Sequence, residues 1–225
     1  MDTEERYRVF QKPAKEYRGK PFWSWNGKLE KDELLRQIDS MKKMGFGGYF
    51  MHSRTGLETE YLGEEWFRLI DACADYGEEH DMESWLYDED RWPSGTAGGR
   101  VTEDKKYRAM FLAADRYDID QVDDLKWDHH IVTAFACHFD GIYYRDARRL
   151  DNCFEINPDE TLIVFRTRYA DCEDVYNGYT YLDTMNREGV EKFIGETHEK
   201  YSENCGKRIG KSIPGIFTDE PHRGA

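Results

Sequence analysis

The sequence predicts an α/β fold: a partial (β/α)8 barrel made of the first four strands, with an antiparallel β insertion after the third strand. Three observations predict it. Short hydrophobic runs alternate with amphipathic helical stripes at connections of a few residues, the pattern of βαβ units and a parallel sheet. Several of those runs end in acids, His, Arg or Asn next to a turn or a proline, as strands do where a barrel carries its chemistry. A middle stretch abandons the helical stripes for β-branched, alternating runs. The expected division is an N-terminal arm with the first three β/α units at 1–100, a β-rich insertion at 101–180, and the third helix with the fourth strand at 181–225. A whole barrel needs about 250 residues, so the 225 residues are short for one that also carries an insertion.

Residues 1–20 are polar and charged and are expected to form an arm. Phe22-Trp-Ser-Trp25 reads as the first strand, ended by the turn pair Asn26-Gly27. A helix is expected next, over roughly 30–44, because Leu34, Leu35, Ile38, Met41 and Met44 recur at helical spacing and Gly45 fits a C-terminal cap. Gly47-Gly-Tyr-Phe-Met51 is the second expected strand, ending at His52-Ser-Arg54. Trp66, Phe67, Ile70, Cys73 and Ala74 make the stripe of a helix over roughly 63–76 that Gly77 should stop. Ser84-Trp-Leu-Tyr87 is the third strand and runs into Asp88-Glu-Asp-Arg-Trp-Pro93. The insertion rests on Ile131–Cys137, Gly141–Tyr144 and Thr161–Tyr169, separated by Asp, Asn, Pro and Gly turns. Asn186 then fits an N-cap, and Val190, Phe193, Ile194, Thr197 and Tyr201 form the next stripe. Ile213–Pro221 is the fourth strand, and Pro221 ends it because it cannot donate to a ladder.

The net charge of −14 excludes nucleic acid and an anionic membrane as expected partners. The 15% aromatic content suits stacking on sugar faces, and equally suits core filling. The five cysteines are scattered and have no C-x-x-C spacing, so neither a disulfide framework nor a zinc site is expected. Reduced thiols, an acidic start without an apolar signal region, and no membrane-length apolar run together give a cytoplasmic expectation. There is no G-x-x-x-x-G-K, no G-x-G-x-x-G after a strand, no H-E-x-x-H and no G-x-S-x-G.

Two acidic strand ends remain as candidate chemistry. Glycoside hydrolysis uses two carboxyl groups, a protonated acid and a base or nucleophile. Glu220 in Thr218-Asp-Glu-Pro221 is the candidate acid, beside Asp219; the same acids could instead cap a following helix or pair with Arg223. Asp88, Glu89 and Asp90 could bind sugar hydroxyls or offer oxygen ligands to a hard cation such as calcium. They could equally be a solvated loop paired with Arg91. Trp92 could stack on a sugar or be structural, Trp25 could be core, and Asn26 could serve only the turn. Tyr87, His52 and Arg54 stand at the matching strand ends, and Tyr181 and Asp183 could reach the same face.

Pro21-Phe-Trp-Ser-Trp-Asn-Gly27, Gly47-Gly-Tyr-Phe-Met-His-Ser-Arg54, Tyr87-Asp-Glu-Asp-Arg-Trp-Pro-Ser-Gly95 and Gly215-Ile-Phe-Thr-Asp-Glu-Pro221 together resemble the catalytic barrel of glycoside hydrolases related to the family 106 α-L-rhamnosidases. The resemblance covers about 20–100 and 180–221, in order. It implies an inverting hydrolysis of terminal glycosides on oligo- or polysaccharides, calcium at the site, and Glu220 as the acid. The substrate-binding set is then Trp25, Asn26, His52, Arg54, Tyr87, Asp88, Asp90, Arg91, Trp92 and Asp219. Family members are much longer, and the strands that would carry the catalytic base are missing here. The chain is therefore expected to be an incomplete catalytic domain, inactive alone, whose partners besides carbohydrate are the rest of the barrel or a second copy. The rival expectation is a non-catalytic carbohydrate-binding or assembly module.

Overall fold

The computed structural model describes residues 2–222. They form a mixed α/β protein with a four-stranded parallel sheet and a separate four-stranded antiparallel sheet. These belong to two compact units, one comprising the chain up to Tyr107 and from Cys172 onward, the other Arg108–Asp171.

The first unit opens on a helix, α1 (Thr3–Gln11), whose N-cap Asp2 accepts the Glu5 N–H. Strand β1 (Phe22–Gly27) leads to α2 (Lys31–Lys43). Leu34, Ile38 and Met41 bury one stripe of α2, with acids in its first turn and lysines in its last, as the helix dipole favours. Gly45, at φ +91°, closes it: Phe46 N–H donates to the Met41 carbonyl and Gly45 N–H to that of Lys42, a Schellman cap.

Strand β2 (Gly48–Leu57) is longer than the sequence predicts, so His52–Arg54 lie within it and not beyond its end. Helix α3 (Glu64–Glu79) likewise runs through Gly77. Gly77 is no stop signal; a Cβ there would meet Ser84 Oγ and Tyr49 Oη at 2.6 Å, so the glycine lets the helix approach the sheet. Strand β3 (Glu83–Tyr87) comes next.

The second unit holds β4 (Met110–Tyr117), β5 (Ile131–Phe139), β6 (Tyr144–Leu150) and β7 (Thr161–Tyr169), in the order β4-β7-β5-β6, all antiparallel. Ile131, Ala134, Ala136, Leu150, Leu162 and Val164 give it a core of its own.

Back in the first unit, α4 (Arg187–Ile194) starts at Asn186, whose side chain accepts the Gly189 N–H. It passes through a π-helical turn, Gly195–Glu199, into α5 (Lys200–Cys205). The last strand, β8, is only Ile216–Phe217. The parallel sheet has the order β1-β2-β3-β8. One of its faces, carrying Trp23, Trp25, Tyr49, Met51 and Leu86, packs on α2, α3 and α5 to form the main core. The opposite face carries a lattice of aromatic rings, Phe22, Phe50, His52, Trp85, Tyr87 and Phe217. Phe22 on that face is half exposed. Among the described residues no helix is long and apolar enough to cross a membrane, and the five cysteines are free thiols.

Candidate active site

Strand alternation decides which candidate residues can meet. Successive side chains point to opposite faces. On β1, Trp23 and Trp25 face the helices, while Phe22, Ser24 and Asn26 face the open side. Trp25 is therefore no sugar platform: it is 1% exposed and packs edge-on against Trp66 of α3. On β2, Tyr49, Met51 and Ser53 face the helices, while Phe50 and His52 face the open side. On β3, Ser84 and Leu86 face the helices, and Asp88 continues that series; Trp85 and Tyr87 face the open side. Beyond β8, Thr218 turns to Asp88 and Asp219 turns to Tyr87.

On the open side, at the C-terminal ends of the strands, His52 stacks on Tyr87 with ring centroids 3.6 Å apart. Both nitrogens of His52 lack a partner among the described residues, although the side chain is only 4% exposed. Burial, then the charge of Arg54, lowers its pKa to about 4, so the ring is neutral at pH 7. The Tyr87 hydroxyl donates to Asp219 Oδ2 at 2.9 Å, and burial plus that bond push the phenol pKa upward. Trp92, 44% exposed, donates its indole N–H to Glu220 Oε2 at 3.1 Å. Glu220 itself is exposed and holds φ +44°, a left-handed conformation uncommon outside glycine. Asn26 is exposed near the end of β1 and Arg54 is exposed within β2. Arg223 lies outside the described residues.

The acids after β3 are placed differently. Asp88 is fully buried on the helix side. Its Oδ1 accepts Ser94 Oγ–H at 2.5 Å, its Oδ2 accepts Thr218 Oγ1–H at 2.6 Å, and His198 Nε2 stands 3.4 Å from Oδ2. Burial raises the Asp88 pKa against those hydrogen bonds. Glu89 sits in a nest of backbone N–H groups: Asp90 and Gly98 donate to Oε1, and Gly95, Thr96 and Ala97 donate to Oε2, at 2.6–2.9 Å. Burial pushes its pKa up to about 7 while the backbone donors of Gly98, Asp90, Thr96 and Gly95 pull it down. Those donors leave no acceptor for a carboxyl proton, so the nest is shaped for the anion. Asp90 accepts from Ser53 Oγ at 2.5 Å and from Asn177 Nδ2 at 3.0 Å. Arg91 donates from Nη1 to the Asp174 carbonyl and pairs with Asp90 at 3.7 Å, while its buried Nε has no hydrogen-bond partner among the described residues.

The expected sugar-binding roles of Asp88 and Asp90 thus do not match their placement, because their carboxylate oxygens are committed to neighbouring side chains, and Arg91 is directed at Asp174 and Asp90. The same occupancy speaks against calcium. A calcium cage needs oxygens free to converge on the ion, and these carboxylates face N–H and O–H donors; among the described residues no group of three His, Cys, Asp or Glu is placed to hold a metal ion. His198, Ser94 and Thr218 are not legible as site residues in the sequence. His198 stands on a helix far along the chain, and only the fold brings it under Asp88. Tyr181 also joins from a distance: it donates to the Ser94 carbonyl at 2.5 Å and stacks on His222.

No family model matches the chain, and no curated protein matches it. A solved rhamnosidase from Novosphingobium sp. PP1Y is similar at a TM-score of 0.40 and 11% identity. That likeness covers 72% of this chain and 27% of the rhamnosidase chain, so this chain spans about a quarter of that protein's length.

Proposed function

We propose that this chain is part of the catalytic barrel of a glycoside hydrolase acting on terminal, α-L-rhamnoside-like linkages. The observation that carries the reading is the open-side constellation at the strand ends: His52, Tyr87, Trp92, Asp219 and Glu220 meet where a parallel α/β sheet presents its chemistry. Neutral His52 backs the Tyr87 ring, its two nitrogens buried behind it. Asp219, steadied by Tyr87, accepts a hydroxyl proton. Glu220 is the proton donor to the departing glycosidic oxygen, held by the Trp92 indole. An inverting reaction also needs a carboxylate on the far side of the sugar to activate water. Strands that pair with the free edges of β1 and β8 and cover the aromatic face would supply it.

The test is Glu220→Gln in the native gene product. Hydrolysis of an unactivated rhamnoside should fall by about two orders of magnitude or more. An aryl rhamnoside whose leaving group needs no proton should lose far less. Equal rates for both proteins on both substrates would remove Glu220 from the mechanism. The exposed aromatic face favours a second reading, a carbohydrate-binding module. Saturable sugar binding to the native product without any release of free sugar would support it.

A further inference from the structure

The proton inventory around the π-helical turn points to a second role at this site. Thr197 Oγ1 has a single proton and gives it to the Phe193 carbonyl at 2.8 Å. The same oxygen lies 2.9 Å from His198 Nδ1, so it accepts there, and Nδ1 carries a proton. The other ring nitrogen, Nε2, faces Asp88 Oδ2 at 3.4 Å. That oxygen already accepts from Thr218, and its partner Oδ1 from Ser94. The Ser94 proton is committed to Asp88, because Ser94 Oγ in turn accepts the Asp219 N–H at 2.9 Å. Two acceptors cannot face each other across such a contact without a proton between them. A carboxylate receiving two hydroxyl protons is also the ionised form.

We propose that His198 is a positioning residue: an imidazolium whose Nε2–H neutralises the buried Asp88 carboxylate and thereby locks the strand end that presents Asp219 and Glu220. The lock is physical and short. Asp88 holds Thr218 and Ser94; Ser94 holds the Asp219 amide through Oγ and gives its own N–H to the Asp219 carbonyl. Asp88 is the charged group that faces the ring. On its own helical segment Lys192, Glu196 and Lys200 are tied to one another, and Glu199 follows it in the chain. Asp219 and Glu220 are directed to Tyr87 and Trp92. His198 also lines a cavity of about 380 Å³ with Leu182, Phe193, Ile194 and Pro221, one-third of its side chain remaining in contact with solvent, so its proton can exchange. Placement on a π-turn fits this role, since such turns re-aim a helical side chain and recur at functional sites.

Only the catalytic meaning of the lock rests on the proposed function; the lock itself is measured without any substrate. In the wild-type chain at neutral pH, nitrogen-15 NMR of the His198 ring should show both nitrogens protonated. A neutral ring, in either tautomer, overturns the proposal and needs no variant. In His198→Gln, hydrogen-exchange protection of the Ser94 and Asp219 amides should fall by roughly tenfold, while that of the β1–β2 ladder is kept. Unchanged protection at Ser94 and Asp219 would also overturn it. Should that variant fail to fold, the ring measurement still decides.

Discussion

The ends of β3 and β8 look alike in sequence and behave oppositely in the fold. Both are short hydrophobic runs that discharge into acids and reach a proline. After β3, Asp88 and Glu89 are buried and every carboxylate oxygen accepts from a hydroxyl or an N–H group. After β8, Asp219 is half-buried, Glu220 is exposed, and among the described residues each side chain receives one donor. The difference comes from the groups that surround each pair of acids. The Ser94–Gly98 loop folds back over Asp88 and Glu89 with its hydroxyl and amides pointing inward, whereas Asp219 and Glu220 meet one aromatic side chain each. Whether a carboxylate is available for chemistry is decided by how many donors the neighbouring loop turns on it. Acidity of the motif says little.

The comparison breaks or holds on stability first. Glu89→Gln should destabilise by about 3–5 kcal/mol in urea unfolding, because the new amide NH₂ would face backbone N–H donors. Glu220→Gln should stay within about 0.5 kcal/mol of wild type. Similar losses in the two variants would erase the distinction.

The next effect is on pH. His52 has a folded pKa near 4, below its ordinary value of 6.5. Between those values the unfolded chain binds a proton that the folded one refuses, so stability is full above pH 6.5 and is lost on acidification towards pH 4. The loss amounts to about 3 kcal/mol. Comparing urea unfolding at pH 7 and pH 4.5 in wild type and in His52→Phe isolates it: the part of the acid loss due to His52 should vanish in the variant. An identical pH slope would mean that the ring is solvated in the fold.

Smaller still is Ser94→Ala, which removes the bridge between the two strand ends. It should cost about 1–3 kcal/mol by stranding an Asp88 oxygen and the Asp219 N–H, read by thermal or urea unfolding. Smallest is Trp92→Phe. It deletes one exposed indole hydrogen bond to Glu220 and should change stability by less than about 1 kcal/mol.

Much of the fold is visible in the residues because apolar period and burial coincide. Leu34, Ile38 and Met41 mark α2, and Trp66, Phe67, Ile70, Cys73 and Ala74 mark α3, each by the stripe that it buries. Helix α1 has no such signal: none of its residues is buried, and only Asp2 as N-cap hints at it. The far half of β2, Ser53-Arg-Thr-Gly56, is polar and carries no strand signal. In the site, Asp90 bonds to Ser53 and Asp88 lies on the helix side. What sequence cannot tell is which side the helices cover. That one missing bit misplaces Trp25 and Asp88 together. His198 stays hidden for a different reason: its partner comes from another element, and no local spacing encodes the contact.

A carboxyl carbon-13 NMR titration of the chain with an α-L-rhamnoside separates the two strand ends most sharply. Saturable shifts are expected at Asp219 and Glu220, with Asp88 and Glu89 unmoved in their donor shells. Shifts at Asp88 and Glu89 with Asp219 and Glu220 silent would contradict this expectation, and would return the sugar site to the end of β3.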